Sequence, residues 1–125
     1  MSNNRPELVP GPDHPITITP NAGHIVVKVG DKVVADSRNA LTLQESTYPA
    51  VPYIPLADVD QSLLRPTETT TYCPYKGDAS YYTVDLPDNE LTDAVWTYRE
   101  PYPAVAEIAG HVAFYADKVE ITEVS

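Results

Sequence analysis

The chain has 125 residues, enough for one domain with its own hydrophobic core and too few for two. Hydrophobic residues make up 42% and charged residues 21% of it, which is typical of soluble globular domains and excludes a disordered chain. Acidic residues outnumber basic ones by 18 to 8, so the net charge of −10 would repel a nucleic-acid polymer.

Signals for membranes and export are missing from the sequence pattern. No apolar run approaches the roughly 20 residues that a membrane span needs. The opening residues, Met-Ser-Asn-Asn-Arg-Pro, lack the apolar stretch of a secretory signal. We therefore expect a cytoplasmic protein with no membrane partner.

The composition also limits the cofactor chemistry. The single cysteine, Cys73, excludes an internal disulfide and any zinc site with two or more thiolates. The three histidines, His14, His24 and His111, are far apart in the sequence, and none has a partner at a metal-binding interval. We expect no cofactor. The unusual feature is 13 prolines and 9 tyrosines beside a single phenylalanine and a single tryptophan.

The N-terminal segment predicts an arm. Residues 1–15 contain four prolines and almost no apolar periodicity, which indicates an extended segment ahead of a single domain of residues 16–125. We expect His14 to be packed with this arm. The alternative is that His14 closes over a pocket of the domain, because a proline-rich segment is stiff and reaches far.

Residues 24–36 predict a β-hairpin. Apolar residues alternate before and after Gly30-Asp31, and glycine at the first turn position favours a type II′ turn. This turn places Val27 opposite Val34 on the buried face. A further short strand follows at residues 40–45.

The next segment, residues 48–55, is rich in proline. Residues 48–55 contain three prolines, each of which removes a backbone donor, so we expect an edge strand or an extended crossing. Asp58 is predicted to cap a short helical turn that brings Val59 and Leu63 to one side. Residues 67–75 are polar and turn-rich.

The second half alternates strands with one short helix. Residues 80–86 predict a strand that ends in a turn at 86–89, and the next strand places Ala94, Trp96 and Tyr98 on one face. Residues 103–109 predict a helix of at most two turns, with Pro103 in its first turn and Gly110 as its stop.

The C-terminal segment predicts a second hairpin, with strands at 111–116 and 119–124. In this register Val112, Phe114 and Ala116 face Val119 and Ile121. His111, Ala113 and Tyr115 fall on the opposite face. Several short strands with one short helix predict a mainly β domain.

Two runs are distinctive, TYCPYKGDASY at residues 71–81 and IAGHVAFY at residues 108–115. With them come Val34-Ala35-Asp36-Ser37, Asp58-Val59 and Ala94-Val95-Trp96-Thr97-Tyr98. Together these segments resemble the domain-of-unknown-function 427 family of small single-domain proteins, sometimes labelled nucleotidyltransferase-like. The similarity extends from His14 to Val119.

The resemblance implies a compact β-tent-like architecture, related in shape to zinc-binding domains and to methionine sulfoxide reductases of the B type. Those relatives usually hold zinc with four cysteines, so with one cysteine we expect no structural zinc here. The resemblance implies no activity. The features of polymerase-type transferases, a Gly-Ser pair followed by spaced carboxylates, are missing from the sequence.

Cys73 is the first candidate for chemistry. Pro74 restricts it to an extended conformation, and Lys76 follows closely enough across a turn to favour a thiolate. With His111 as base, Cys73 would form the minimum pair for nucleophilic catalysis. The alternative is that Cys73 is a small buried apolar residue, as free cysteines usually are.

Lys76-Gly77-Asp78 has two interpretations. It presents a cation beside exposed backbone amides, a small nest for an anion. Alternatively, it is a plain turn in which Lys76 pairs with a carboxylate such as Asp78.

The aromatic residues predict a pocket when they are taken as a set. A tyrosine ring has a flat apolar face and a polar rim, which suits a small, partly polar ligand. The alternative is that these rings fill the core of a chain with one phenylalanine. The candidate ligand-binding residues are Tyr53, Tyr72, Lys76, Tyr81, Trp96, Tyr98 and Tyr115.

The leading hypothesis is a domain that binds a small molecule of unknown identity in an aromatic pocket around Cys73 and Lys76. The second hypothesis is a small enzyme that uses Cys73 as nucleophile or redox thiol with His111. The third is a protein-interaction module or homodimer that docks through residues 48–55.

Overall fold

Between residues 7 and 124, the part of the chain that the computed structural model describes, there are ten β-strands and three short 3₁₀ helices. The strands are β1 (Ile16–Pro20), β2 (His24–Val29), β3 (Lys32–Ser37), β4 (Leu41–Glu45), β5 (Val51–Pro55), β6 (Leu64–Cys73), β7 (Gly77–Leu86), β8 (Asn89–Thr97), β9 (His111–Phe114) and β10 (Glu120–Val124). The 3₁₀ helices are Leu56–Asp58, Gln61–Leu63 and Pro103–Ile108. The protein is therefore mainly β, as predicted.

The described strands form two antiparallel sheets. The large sheet has seven strands in the order β1-β4-β5-β9-β8-β7-β6, and the small sheet has the order β10-β2-β3. Side chains of both sheets meet in an aliphatic core, which we call the intersheet core: Ile25, Val27, Val34, Ala35, Ala40, Ile54, Val59, Val84, Ala94, Val95, Val112, Phe114 and Val119. Burial of these apolar side chains is the main stabilisation that the fold receives.

The opposite face of the large sheet carries a second cluster, which we call the tyrosine face. Its buried members are Leu43, Tyr53, Ala79, Tyr81, Tyr98, Val105, Ile108 and Ala113, and Trp96, Tyr115 and Cys73 pack against them. The third 3₁₀ helix covers part of this face with Val105 and Ile108, which are fully buried.

The first hairpin forms as predicted, but its register differs by one residue. Gly30 has a φ of 59° at the first turn position, where glycine adopts a positive φ without steric cost. Val27 pairs with Ala35 rather than with Val34, because a bulge shifts the register between Val27 and Lys28. The carbonyl of Val34 instead accepts a hydrogen bond from the backbone N–H of Asp60 at 2.8 Å.

The proline-rich strand β5 lies inside the large sheet, so the prediction of an edge strand is wrong. Residues 51–53 of β5 pair with β4, whereas residues 54–55 pair with β9. Each neighbour therefore uses only part of the strand, and β5 needs no continuous row of donors along either side. Within the segment 48–55, residues 51–55 pair with the protein's own strands, and a partner or second copy that docks through this segment stays a prediction.

The cap prediction at Asp58 is also wrong. Asp60 caps the second 3₁₀ helix, since its side chain accepts a hydrogen bond from the Ser62 N–H. Asp58 is the last residue of the first 3₁₀ helix and accepts a hydrogen bond from the Ser37 hydroxyl at 2.6 Å. A long-range partner therefore takes the carboxylate that the local pattern assigned to a cap.

Strand β6 contradicts the prediction that residues 67–75 are turn-rich. It runs from Leu64 to Cys73 at the edge of the large sheet and is largely exposed. Apolar alternation is missing because neither face of an exposed edge strand needs an apolar row. Threonine, which favours extended backbone, supplies four of its ten residues.

The second predicted hairpin does not form. Strand β9 pairs with β5 and β8 in the large sheet, and β10 pairs with β2 in the small sheet. The apolar pattern was nevertheless informative, because Val112, Phe114 and Val119 all enter the intersheet core. The chain thus crosses between sheets while keeping these side chains in one core.

For strand β8, the predicted alternation of side chains between the two faces of the sheet is only partly correct. Trp96 and Tyr98 lie on the tyrosine face as predicted, whereas Ala94 packs in the intersheet core. A register shift between Tyr82 and Val84 interrupts the pairing of β7 with β8. Alternation therefore cannot be extended across this point.

The predicted helix is present as a 3₁₀ helix at Pro103–Ile108, interrupted at Val105, and Gly110 follows with a φ of 76°. No helix among residues 7–124 is long and apolar enough to cross a membrane. In the same part of the chain no three His, Cys, Asp or Glu side chains are grouped to hold a metal ion.

The predicted arm is described only from Glu7 onward, and residues 1–6 lie outside the described part. The backbone N–H of Leu8 donates to the Pro74 carbonyl at 2.9 Å, and Gly11 and His14 form a small bridged turn. The segment before β1 therefore rests on the turn between β6 and β7. The boundary at residues 15 and 16 stays a prediction.

Candidate functional site

A cavity of about 260 Å³ opens on the tyrosine face of the large sheet. Strands β4, β5, β7 and β8 contribute to its walls, and the segment between β4 and β5 forms its rim. The lining residues are Leu43, Glu45, Tyr48, Pro49, Val51, Tyr53, Lys76, Tyr81, Trp96, Tyr98 and Tyr115.

Cross-strand pairing brings the aromatic walls together. Trp96 pairs with Tyr81 on one side and with Ala113 on the other, so side chains of β7 and β8 stand next to each other. The Trp96 indole N–H donates to the Tyr53 hydroxyl at 3.1 Å, and the two rings meet edge to face. The rings of Trp96 and Tyr115 have centroids 4.6 Å apart.

The tyrosine hydroxyls form a chain at one side of the cavity. The Tyr81 hydroxyl lies 2.9 Å from the Thr71 hydroxyl and 3.5 Å from that of Tyr115. Burial, and then the hydrogen bond with Tyr81, raise the pKa of Tyr115 to about 12. Burial likewise raises the pKa values of Tyr53 and Tyr98 well above the ordinary range. These phenols are therefore neutral at physiological pH.

Lys76 supplies the polar end of the cavity from the turn between β6 and β7. Its backbone N–H donates to the Cys73 carbonyl at 3.2 Å, and its own carbonyl accepts from the Tyr102 N–H at 3.0 Å. Gly77 follows with a φ of 110°, a conformation that favours glycine. These backbone constraints direct a lysine that is only 7% exposed into the tyrosine face.

The Lys76 ammonium forms a hydrogen-bonded ion pair with Glu45, the last residue of β4. It also lies 5.9 Å from the centroid of the Tyr98 ring. The sequence had suggested Asp78 as a local partner, but the carboxylate comes from 31 residues away. Such a pair is costly to desolvate, so it is weak evidence for stability.

His14 completes the polar end from the segment before β1. Its Nε2 lies 2.8 Å from the second oxygen of the Glu45 carboxylate. The His14 ring stacks on Tyr75 with centroids 4.1 Å apart and meets Tyr48 edge-on. His14 thus contacts two residues that line the cavity, Glu45 and Tyr48, without lining it itself, and whether it closes over the cavity stays a prediction.

Opposing effects determine the pKa of Glu45. Burial alone would raise it, but hydrogen bonds from Lys76 and His14, together with their charges, outweigh burial and lower the pKa below its ordinary value. Glu45 is therefore a carboxylate at neutral pH, and each of its oxygens already accepts one hydrogen bond.

Tyr98 places a further polar group in the cavity. It is 7% exposed, and no described residue forms a hydrogen bond with its hydroxyl. Among residues 7–124, every side-chain nitrogen or oxygen that is sealed from solvent has a partner. The Tyr98 oxygen is consequently not sealed from solvent, and because Tyr98 lines the cavity its hydroxyl adds one donor and one acceptor to the polar groups there.

The structure brings together six of the predicted ligand-binding residues, Tyr53, Lys76, Tyr81, Trp96, Tyr98 and Tyr115, around the cavity. Tyr72 lies outside it, with its hydroxyl 2.5 Å from that of Tyr102. Whether any of these residues binds a ligand stays a prediction.

Cys73 and His111, the predicted catalytic pair, do not line the cavity either. Cys73 is half-buried and packs against the tyrosine face. His111 is the first residue of β9, where it pairs with Pro55. Its Nδ1–H donates to the Ala109 carbonyl at 2.9 Å. Their catalytic roles stay predictions.

Sequence reasoning missed the contribution of the segment from β4 to β5, above all Glu45. Tyr48 and Pro49 form the rim of the cavity, and Leu43 and Val51 line it together with Tyr53. Glu45 ends an unremarkable strand, so no local signal marks it. A charge argument offers the one clue, since a buried lysine requires a carboxylate partner.

A second, shallower depression of about 360 Å³ adjoins the cavity and shares Tyr81 and Tyr115 with it. Its other residues are polar: Thr69, Thr71, Asp93, Asp117 and Lys118. Hydrogen bonds from Thr69 and Thr67 hold the pKa of Asp93 below its ordinary value.

Fold and site together define a mainly β protein with an aromatic cavity that ends in an ion pair. The family model described as a domain of unknown function, DUF427, matches residues 17–125, so the chain belongs to that family. This confirms the resemblance found in the sequence. A search of the curated proteins gave no match. His14 precedes the matched residues, although it contacts the Glu45 carboxylate.

Proposed function

We propose that this protein binds a small, flat, partly polar molecule in the cavity on the tyrosine face. The observation that carries the proposal is the convergence of six aromatic rings and a buried lysine around one space. A convergence of this kind, with an apolar wall and a few directed polar groups, is the usual form of a ligand site.

The size and walls of the cavity favour a ligand of modest size. Its volume of about 260 Å³ lies just under the range of roughly 300–1,000 Å³ found for drug-sized ligands. Trp96 and Tyr115 offer ring faces for stacking, and the neutral phenols offer hydrogen bonds at the edge. A planar ring with a polar substituent suits both features.

Lys76 is the group that we propose as the anchor for an anionic or carbonyl substituent. One of its three N–H groups is used by Glu45, and the others have no partner among the described residues. We also propose that the two sheets have the β-tent-like arrangement that the family resemblance implies.

The test uses Trp96, the single tryptophan of the chain, as a reporter inside the cavity. A panel of one- and two-ring aromatic compounds with anionic, carbonyl or no substituents is titrated against intrinsic fluorescence and melting temperature. We expect polar members of the panel to change Trp96 emission and raise the melting temperature, because bound ligand stabilises the folded state.

Lys76→Met is the informative variant, and Lys28→Met is its matched control, since Lys28 is exposed on the small sheet. Lys76→Met should abolish the response to polar members, and Lys28→Met should keep it. A Lys76→Met protein that is folded and responds as the wild type does would contradict the anchor role. A panel without any binder would contradict the proposed function.

A further inference from the structure

The polar end of the cavity presents a donor and an acceptor side by side. The Lys76 ammonium and the Glu45 carboxylate both line the cavity and are hydrogen-bonded to each other. Two N–H groups of Lys76 have no described partner, and each Glu45 oxygen, which accepts one hydrogen bond, can accept a second.

The two charged side chains that line this end of the cavity, Lys76 and Glu45, cancel each other's charge, and His14, which holds the other Glu45 oxygen, does not line the cavity. Glu45 forms a hydrogen-bonded ion pair with Lys76 and neutralises it within the cavity wall. A ligand carboxylate that approaches Lys76 would also approach Glu45, and two like charges in a half-buried site repel strongly. The pair therefore disfavours the anionic ligand that an unpaired lysine would attract, and it narrows the proposed anchor role of Lys76 to carbonyl groups.

A primary or cyclic amide has the complementary pattern. Its carbonyl accepts while its N–H donates, and both groups lie in one plane that continues the plane of an attached ring. The Tyr98 hydroxyl adds another group that lacks a described hydrogen-bond partner, and Tyr98 lines the same cavity as Tyr53 and Glu45. The site can therefore satisfy every polar atom of an amide edge.

We propose that the cavity selects neutral, planar amides or lactams, with the carbonyl on Lys76 and the N–H on Glu45, over the corresponding carboxylates. This selection rests on the proposed ligand-binding function and specifies its ligand class. Leaving a buried donor or acceptor unpaired is the physical basis of such discrimination.

The experiment compares matched probes that differ only at this edge: benzamide against benzoate, and nicotinamide against nicotinate. Affinity is measured by Trp96 fluorescence and by the indole N–H resonance of Trp96 in the folded protein at neutral pH. We expect each amide to bind at least about tenfold more tightly than its carboxylate.

The variant Glu45→Gln keeps the shape of the side chain and removes its charge, so we expect it to reduce or invert the amide preference. Glu120→Gln, at an exposed acid of β10, is the matched control and should keep the wild-type ratio. If Glu45→Gln does not fold, the ratio measured on the wild-type protein still decides.

Carboxylates that bind the wild type as tightly as the amides would overturn the amide selection and leave the proposed function intact. If other compounds of the aromatic panel bind but neither probe pair does, the amide selection is likewise wrong and the proposed function stands. If no aromatic compound perturbs Trp96, the proposed function fails and the selection with it.

Discussion

One face of the seven-stranded sheet packs aliphatic side chains against the small sheet, whereas the other carries tyrosines, a tryptophan and an ion pair. The intersheet core is sealed by a second layer, and its buried side chains are apolar. The tyrosine face is covered only in part, and its hydroxyls and charges border open space. Apolar burial stabilises the fold on one side, while the other side keeps polar groups that contribute little to folding and are suited to recognition.

Removing the largest side chain of the intersheet core should have the largest effect on stability. Phe114, the single phenylalanine, is 3% exposed, and Phe114→Ala should lower the free energy of unfolding by about 3–5 kcal/mol. Urea unfolding measures the change. Tyr48→Ala is the control on the other face, because Tyr48 is 56% exposed and its loss should alter stability by no more than about 0.5 kcal/mol. Equal losses in the two variants would contradict the division between the faces.

Breaking the ion pair of the tyrosine face should cost less. Lys76→Met removes one of the two partners of the Glu45 carboxylate and leaves His14 as the other. We expect a loss of about 2–3 kcal/mol, below the roughly 3–5 kcal/mol of a fully buried pair, because the Glu45 side chain is 15% exposed and keeps this second partner. The double variant Lys76→Met/Glu45→Gln should recover most of this loss, since no charge is then left without a partner. A double variant as unstable as Lys76→Met would show that the pair itself is the source of stability.

The smallest effect concerns pH. The folded-state pKa of Glu45 is lower than its ordinary value of 4.5, so the unfolded chain binds more protons in that range. The stabilisation is complete above the ordinary value and is lost as the pH falls through the folded-state pKa. We therefore expect the stability difference between wild type and Glu45→Gln to be constant near pH 7 and to shrink as the pH falls below the ordinary value of 4.5.

Urea unfolding at several pH values checks this dependence, with Glu120→Gln as the exposed control. The wild type and the control should lose stability together on acidification, while Glu45→Gln loses less. A difference that grows as the pH falls would contradict the lowered pKa of Glu45.

Local patterns predicted the elements whose determinants are local. The turn at Gly30, the strand after residue 80 and the stop at Gly110 follow from the conformational freedom of glycine and from side-chain alternation. Alternation also assigned Trp96 and Tyr98 to one face and Phe114 to the other.

Predictions failed where a partner distant in sequence decides the outcome. Strand β5 lies inside the sheet because β4 and β9 each pair with part of it, and Asp58 bonds Ser37 instead of capping a helix. The predicted C-terminal hairpin is replaced by two strands in different sheets, since β10 pairs with β2. A single sequence contains no direct signal for such pairings.

The sequence by itself determined a mainly β domain of the DUF427 family and the set of side chains that could form an aromatic cavity. These conclusions depend on composition, alternation and short motifs, all of which are local. The tertiary structure alone decided that Glu45 meets Lys76, that His14 joins them and that Cys73 and His111 stay outside the cavity. The reason is that a buried charge takes its partner from whatever strand the fold places beside it, and that strand is set by packing of the whole chain.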